Sequence, residues 1–114
     1  MDTDRLSRER TVRALYAAYL EGRKDLAGAM LSDDFVFSSP RDDHISRGAY
    51  FDLCWPSPPP FRDIAIEYIA VEGDEAAVCY RAEKPDGSAF RNMEMLRFRG
   101  DRIASVDVYF GRSA

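Results

Sequence analysis

Two hydrophobic periods divide the chain. From Arg5 to Glu21 the apolar positions Leu6, Val12, Leu15, Tyr16 and Tyr19 recur at helical spacing, with Arg8, Glu9, Arg10 and Arg13 on the other side. This predicts an amphipathic first helix, capped at Thr3 or Asp4 and ended by Gly22. A second helix is expected over Lys24–Leu31 with Leu26, Ala27, Met30 and Leu31 inward, followed by a Ser32-Asp33-Asp34 turn. Phe35-Val36-Phe37 is a β-branched and aromatic run, read as a strand that carries Ser38 and Ser39 to its end before Pro40 stops it. Ser46 predicts the N-cap of a third helix running to about Trp55, and Pro56-Ser57-Pro58-Pro59-Pro60 predicts a stiff extended connector.

After Phe61 the period falls to two. Strands are expected over Arg62–Glu72, Glu75–Lys84, Ala89–Arg99 and Arg102–Phe110, joined by short turns at Gly73-Asp74, Pro85-Asp86-Gly87 and Gly100-Asp101. Helices first and hairpin-linked strands afterwards predict an α+β fold, a curved antiparallel or mixed sheet packed on three N-terminal helices. Four long strands on a short chain must curl to cover those helices, and the result is a cone with an inside. Alternation puts Phe90, Asn92, Glu94, Leu96 and Phe98 on one face of the third long strand. Val78, Tyr80 and Ala82 share that face on the second, and Ala104, Val106, Val108 and Phe110 on the last. Asn92 and Glu94 are therefore polar groups in an otherwise apolar wall. The opposite face mixes Met93, Met95, Ile103, Tyr109 and Cys79 with Arg91, Arg97 and Asp107, the composition of an interface more than of a solvated surface.

Composition narrows the function classes. A chain of 114 residues, 46% hydrophobic and 32% charged, reads as a single folded domain over residues 1–114. Sixteen basic and twenty acidic residues give a formal charge of -4, which argues against nucleic acid and anionic membranes as partners. A charged start and the absence of any long apolar stretch lead to a cytoplasmic expectation. Cys54 and Cys79 lack CxxC spacing and are expected to be free thiols in a reducing compartment. No nucleophile elbow, phosphate-binding glycine loop or HExxH string occurs, so neither a cofactor nor a metal is expected.

Glu94 is the first candidate for chemistry. Burial among apolar side chains disfavours a charged carboxylate, and a group so perturbed can act as general acid or base near neutral pH. Asp42 and Asp43, followed by His44 on the loop beyond Pro40, form a cluster near the cone mouth that could supply a base or orient a substrate, with Asp43 and His44 the candidates for chemistry. Tyr19, Tyr80, Asn92, Ser39, Trp55, Val108 and Phe110 are expected to line a ligand pocket, Tyr19 being favoured over Tyr16 because it shares a stripe with Leu15.

The element order, with the strings Phe37-Ser38-Ser39-Pro40-Arg41-Asp42-Asp43, Tyr50-Phe51, Cys54-Trp55-Pro56 and Val108-Tyr109-Phe110-Gly111, resembles the nuclear transport factor 2-like superfamily. More narrowly it resembles the SnoaL-like branch. The resemblance implies a pocket for a small apolar organic ligand and a homodimer formed through the outer sheet face. It also places Glu94 where ketosteroid isomerase members carry a protonated carboxylic acid. Epoxide hydrolase members have a carboxylate there too, with a polar partner at the position of Asn92. The isomerases' base carboxylate is replaced by Ser39 and their helical tyrosine by Leu15, so steroid isomerisation by that machinery is not expected. Two readings follow. One is a cofactor-free acid/base enzyme acting as isomerase, cyclase, dehydratase or hydrolase; the other is a non-catalytic ligand-binding or homodimerising domain.

Overall fold

A computed structural model describes residues 2–114, with side chains from Asp4 onward. The elements are α1 (Asp2–Glu21), α2 (Lys24–Met30), β1 (Leu31–Ser38), β2 (Ile45–Ser46), α3 (Arg47–Cys54), β3 (Asp63–Glu72), β4 (Glu75–Glu83), β5 (Ala89–Arg99) and β6 (Arg102–Ser113). One six-stranded sheet runs in the order β2-β1-β6-β5-β4-β3. β1 and β6 are parallel and the other neighbours antiparallel, so the sheet is mixed.

α1 lies across the concave face because one arc of it is apolar. Val12, Leu15, Tyr16 and Ala18 are buried there, while Leu6, expected inward, is half exposed. The helix already runs through Thr3 and Asp4, so it starts ahead of the expected cap; the Thr3 side chain lies outside the described residues. Arg8, expected in solvent, instead donates to the Gly73 and Gly100 carbonyls and sets its guanidinium 5.4 Å from the Phe98 ring centroid. It thereby ties α1 to two hairpin turns. Gly22 takes φ +71°, and the chain reverses as Arg23 N–H donates to the Ala18 carbonyl at 2.8 Å.

Four departures from the sequence expectation lie in the middle of the chain. Leu26 is exposed, and Ala27 is the side chain α2 buries, because so short a helix presents a narrow face. Ser32-Asp33-Asp34 is not a turn but part of β1, where the register with β6 shifts between Leu31 and Val36. The irregularity lets Ser32 bond Asp34 at 2.9 Å while Asp34 reaches out to Arg99 at 2.7 Å. β2 was not anticipated; its two residues pair with Val36 and Phe37 and lead into α3, whose Ser46 cap accepts from Ala49 N–H. The proline connector is interrupted by a cis Ser57–Pro58 peptide, so it is not uniformly extended.

Bulges bend the sheet into the cone. One, on β6, has a consequence for facing: Phe98 pairs with Ile103 and Arg97 with Ser105. Ile103 is therefore fully buried, and Ala104 is the extra residue, which reverses the alternation expected for these two. The core is built around Phe35, Leu31, Leu96, Ile103, Val12 and Val78, each contributing about 1.5–3 kcal/mol by burial. No helix among the described residues is long and apolar enough to cross a membrane.

Candidate functional site

The open end of the cone holds a cavity of about 360 Å³. Its walls come from the α1 face, the end of β1, α3 and the inner faces of β4, β5 and β6. Leu15, Phe37, Phe61, Phe90, Val106 and Val108 make most of the lining apolar, with Phe110 half exposed at the rim. The guanidinium of Arg41 sits 5.7 Å from the Phe110 ring centroid, so the mouth is edged by a cation on an aromatic face.

Glu94 projects from β5 into this space, opposite Val78 and Val108 on its neighbouring strands. Its accessible part faces the cavity rather than bulk solvent. Tyr16 donates to Oε1 at 2.6 Å and Tyr80 to Oε2 at 2.8 Å. Burial pushes the Glu94 pKa above its ordinary value, while the bonds from Tyr16 and then Tyr80 pull it back, and burial wins. Burial first, and the Glu94 carboxylate second, push both phenols above their ordinary range, so Tyr16 and Tyr80 keep their protons and remain donors.

The direction of these bonds is set from the backbone. Gly111 N–H, which can only donate, reaches Asn92 Oδ1 at 3.1 Å. That leaves Asn92 Nδ2 to donate to the Tyr80 oxygen at 3.2 Å, and the Tyr80 proton to point at Glu94. The chain of bonds depends on a glycine: a Cβ at position 111 would lie 2.0 Å from the Arg91 carbonyl oxygen. Here a second β6 bulge brings two backbones into contact.

Of the residues singled out from the sequence, Glu94, Tyr19, Tyr80, Asn92, Ser39, Val108 and Phe110 line the cavity. Tyr19, however, donates to the Cys54 carbonyl at 2.9 Å, and the helical phenol on Glu94 is Tyr16. Trp55 is buried behind the wall, edge-on to Tyr19 with ring centroids 4.9 Å apart, and does not line the cavity. Asp43 and His44 lie outside it, exposed and paired with each other at 2.7 Å. The cause is local: His44 adopts φ +52° and Ser38 Oγ binds its N–H, which turns the pair outward before Ile45 joins the sheet. Of that loop cluster only Asp42 stays at the mouth, beside Arg41, on a turn closed by Ser39 N–H donating to the Asp42 carbonyl at 2.7 Å. Tyr50, which the sequence offers only as part of the Tyr50-Phe51 pair in the third helix, also lines the cavity. Its signal is a hydroxyl on an otherwise core-facing ring.

Among the described residues no cluster of three or more His, Cys, Asp or Glu side chains is placed to hold a metal ion. Cys54 and Cys79 are free, and burial raises the Cys54 thiol pKa to about 11, away from nucleophile behaviour.

This cone is that of a nuclear transport factor 2-like fold, and a SnoaL-like domain profile matches residues 12–106. The chain belongs to the SnoaL-like domain family. A nuclear transport factor 2-like protein of unknown function from Burkholderia xenovorans superposes with a TM-score of 0.81 at 18% identity, covering 93% of this chain and 84% of that one. A protein from Kribbella flavida, provisionally named a ketosteroid isomerase, gives 0.80 at 17% identity over 97% and 82%. One from Jannaschia, provisionally named a SnoaL-like polyketide cyclase, gives 0.77 at 12% identity over 92% and 85%. At such identities the likeness is one of fold. No curated protein sequence matches the chain.

Proposed function

We propose that residues 1–114 act as a single cytoplasmic domain that binds a small, largely apolar organic molecule in the cone and uses Glu94 as the acid/base group of cofactor-free chemistry. The observation that carries this reading is a carboxyl group inside an apolar cavity that is not filled by its own side chains. Each Glu94 oxygen has one phenol on it, which leaves lone pairs free to take a proton from a bound ligand. The two phenols hold the carboxylate in place for that step, and the same carboxyl can return the proton at a neighbouring atom. Isomerisation, aldol-type cyclisation, dehydration and hydrolysis all use such a step. The neighbours provisionally named as isomerase and cyclase fall within this range. Glu94→Gln is expected to abolish turnover of any substrate found while leaving its binding in place; unchanged turnover would refute the mechanism.

We also assign the outer sheet face to a homodimer. Register sets Tyr68, Cys79, Met93 and Tyr109 in one row across β3, β4, β5 and β6, with Tyr68, Met93 and Tyr109 exposed. Arg91 pairs with Glu67 at 2.7 Å beside that row, and Arg97 bridges Glu75 and Asp107. A face whose charges are already paired is easier to desolvate. Sedimentation at micromolar concentration is expected to give a dimer, and Met93→Arg a monomer; a monomeric parent protein overturns the assignment.

A further inference from the structure

The polar groups of the cavity wall can be accounted for one at a time. Tyr16 and Tyr80 donate to Glu94, Tyr19 donates to the Cys54 carbonyl, and both ends of Asn92 are engaged. The hydroxyl of Tyr50 has no hydrogen-bond partner among the described residues, although the residue is 7% exposed and lines the cavity. The indole N–H of Trp55, a residue 4% exposed, also has none. It faces the Tyr50 hydroxyl without reaching hydrogen-bonding geometry.

The Trp55 nitrogen is sealed off, whereas the Tyr50 oxygen is not among the fully buried unpartnered atoms, so this hydroxyl opens onto the cavity it lines. Packing does not require it. The Tyr50 ring meets Phe35, Phe37 and Phe51 at centroid distances of 5.0, 4.8 and 5.4 Å, and a phenylalanine would keep all three contacts. The hydroxyl therefore matters for what enters the cavity. Because the Trp55 N–H approaches from the side of the phenol oxygen, the Tyr50 proton is free to point at the cavity, where it needs an acceptor. Burial holds that proton firmly; the Trp55 N–H beside the oxygen pulls the other way, the Glu94 charge adds to burial, and burial wins, so the phenol is a donor and not an anion.

We infer that Tyr50 contacts the ligand directly, its O–H donating to a ketone or aldehyde carbonyl on the apolar molecule held in the cone. This rests on the cavity being a ligand site, as proposed above. A carbonyl fits better than a second hydroxyl because it accepts without adding a donor that the apolar wall would have to satisfy. Tyr50 and Glu94 then divide the work: one holds the carbonyl oxygen and polarises it, while the other exchanges the proton that the polarised carbonyl makes labile.

The test uses two probes of one shape, 2-acetylnaphthalene and 2-ethylnaphthalene, which differ by a carbonyl in place of a methylene. Their dissociation constants are measured on the protein and on Tyr50→Phe, together with the carbonyl stretching frequency of the bound acetyl probe. Taking the ratio of the two constants within each protein cancels any general loosening of the fold. Tyr50→Phe is expected to shift that ratio against the acetyl probe by about tenfold, the value of one neutral hydrogen bond, and to move the carbonyl band to higher frequency. An unchanged ratio and band, with both probes still bound, would overturn the role of Tyr50 and leave the ligand site standing. If neither probe binds at its solubility limit, the ligand-site reading fails, and this inference with it.

Discussion

Replacing Glu94 with glutamine keeps the volume and an acceptor for one phenol but removes the titrating proton. Burial raises the Glu94 pKa in the folded protein above its ordinary 4.5. The native state therefore holds this proton more tightly than the unfolded chain does. From about pH 4.5 upward the unfolded state releases it first, so the stability that Glu94 contributes is fully present below that pH and is lost as pH rises through the folded pKa. The slope for one proton is at most about 1.4 kcal/mol per pH unit, and roughly 4 °C of melting temperature accompanies each kcal/mol in a domain of this size. Urea unfolding of the two proteins across about pH 4 to 9 isolates the effect as a difference, free of groups common to both. Asp25, Asp34, Glu67 and Asp86, which arginines or hydrogen bonds hold below the ordinary range, cancel in it. The stability of the parent relative to Glu94→Gln should fall with pH and then level off. A flat or rising difference would show that the two phenols outweigh desolvation, and Glu94 would be an ordinary paired carboxylate with no poise for proton transfer.

The phenols should act unequally in the same experiment. Tyr16→Phe removes the stronger pull on Glu94, so the declining limb should extend to higher pH than in Tyr80→Phe; the reverse order would contradict the geometry. Gly111→Ala forces a Cβ onto the Arg91 carbonyl and is expected to cost about 2–3 kcal/mol in thermal unfolding, since neither backbone can yield without breaking the bulge. His44→Ala should leave stability within about 0.5 kcal/mol and 2-ethylnaphthalene binding unchanged; a tenfold loss of affinity would return the loop to the site.

How much could be read beforehand depended on the range of the interaction involved. The β3–β6 strands were legible because alternation and turn glycines are local, and so was the placing of Glu94 and Asn92 on the inner face. A bulge is not local: Ala104 moves Ile103 to the inside by a register slip of one residue that no alternation count detects. Ser32-Asp33-Asp34 imitates a turn because its strand partner, β6, lies at the far end of the chain. Tyr16 and Tyr19 share the inward arc of α1. Which one meets Glu94 depends on how the helix is rolled against the sheet, and the reach of Arg8 to two hairpin turns helps to fix that roll. Asp43 and His44 were misplaced for a similar reason. A left-handed conformation at a histidine is rare enough that composition does not announce it.

The place of β6 in the sheet bears on how the protein is made. It is the last of these strands in sequence and yet lies between β1 and β5, so within the sheet β2-β1 and β5-β4-β3 are joined only through it. Contacts of such long sequence separation are late and slow to form, because loop closure must precede any gain from pairing. During synthesis, β1 and β5 wait with open edges until residues 102–113 have emerged. The Gly111 contact that orients the Glu94 network is made by the last residues to close, so an incompletely folded chain has a cone whose inner hydrogen bonds have no fixed direction.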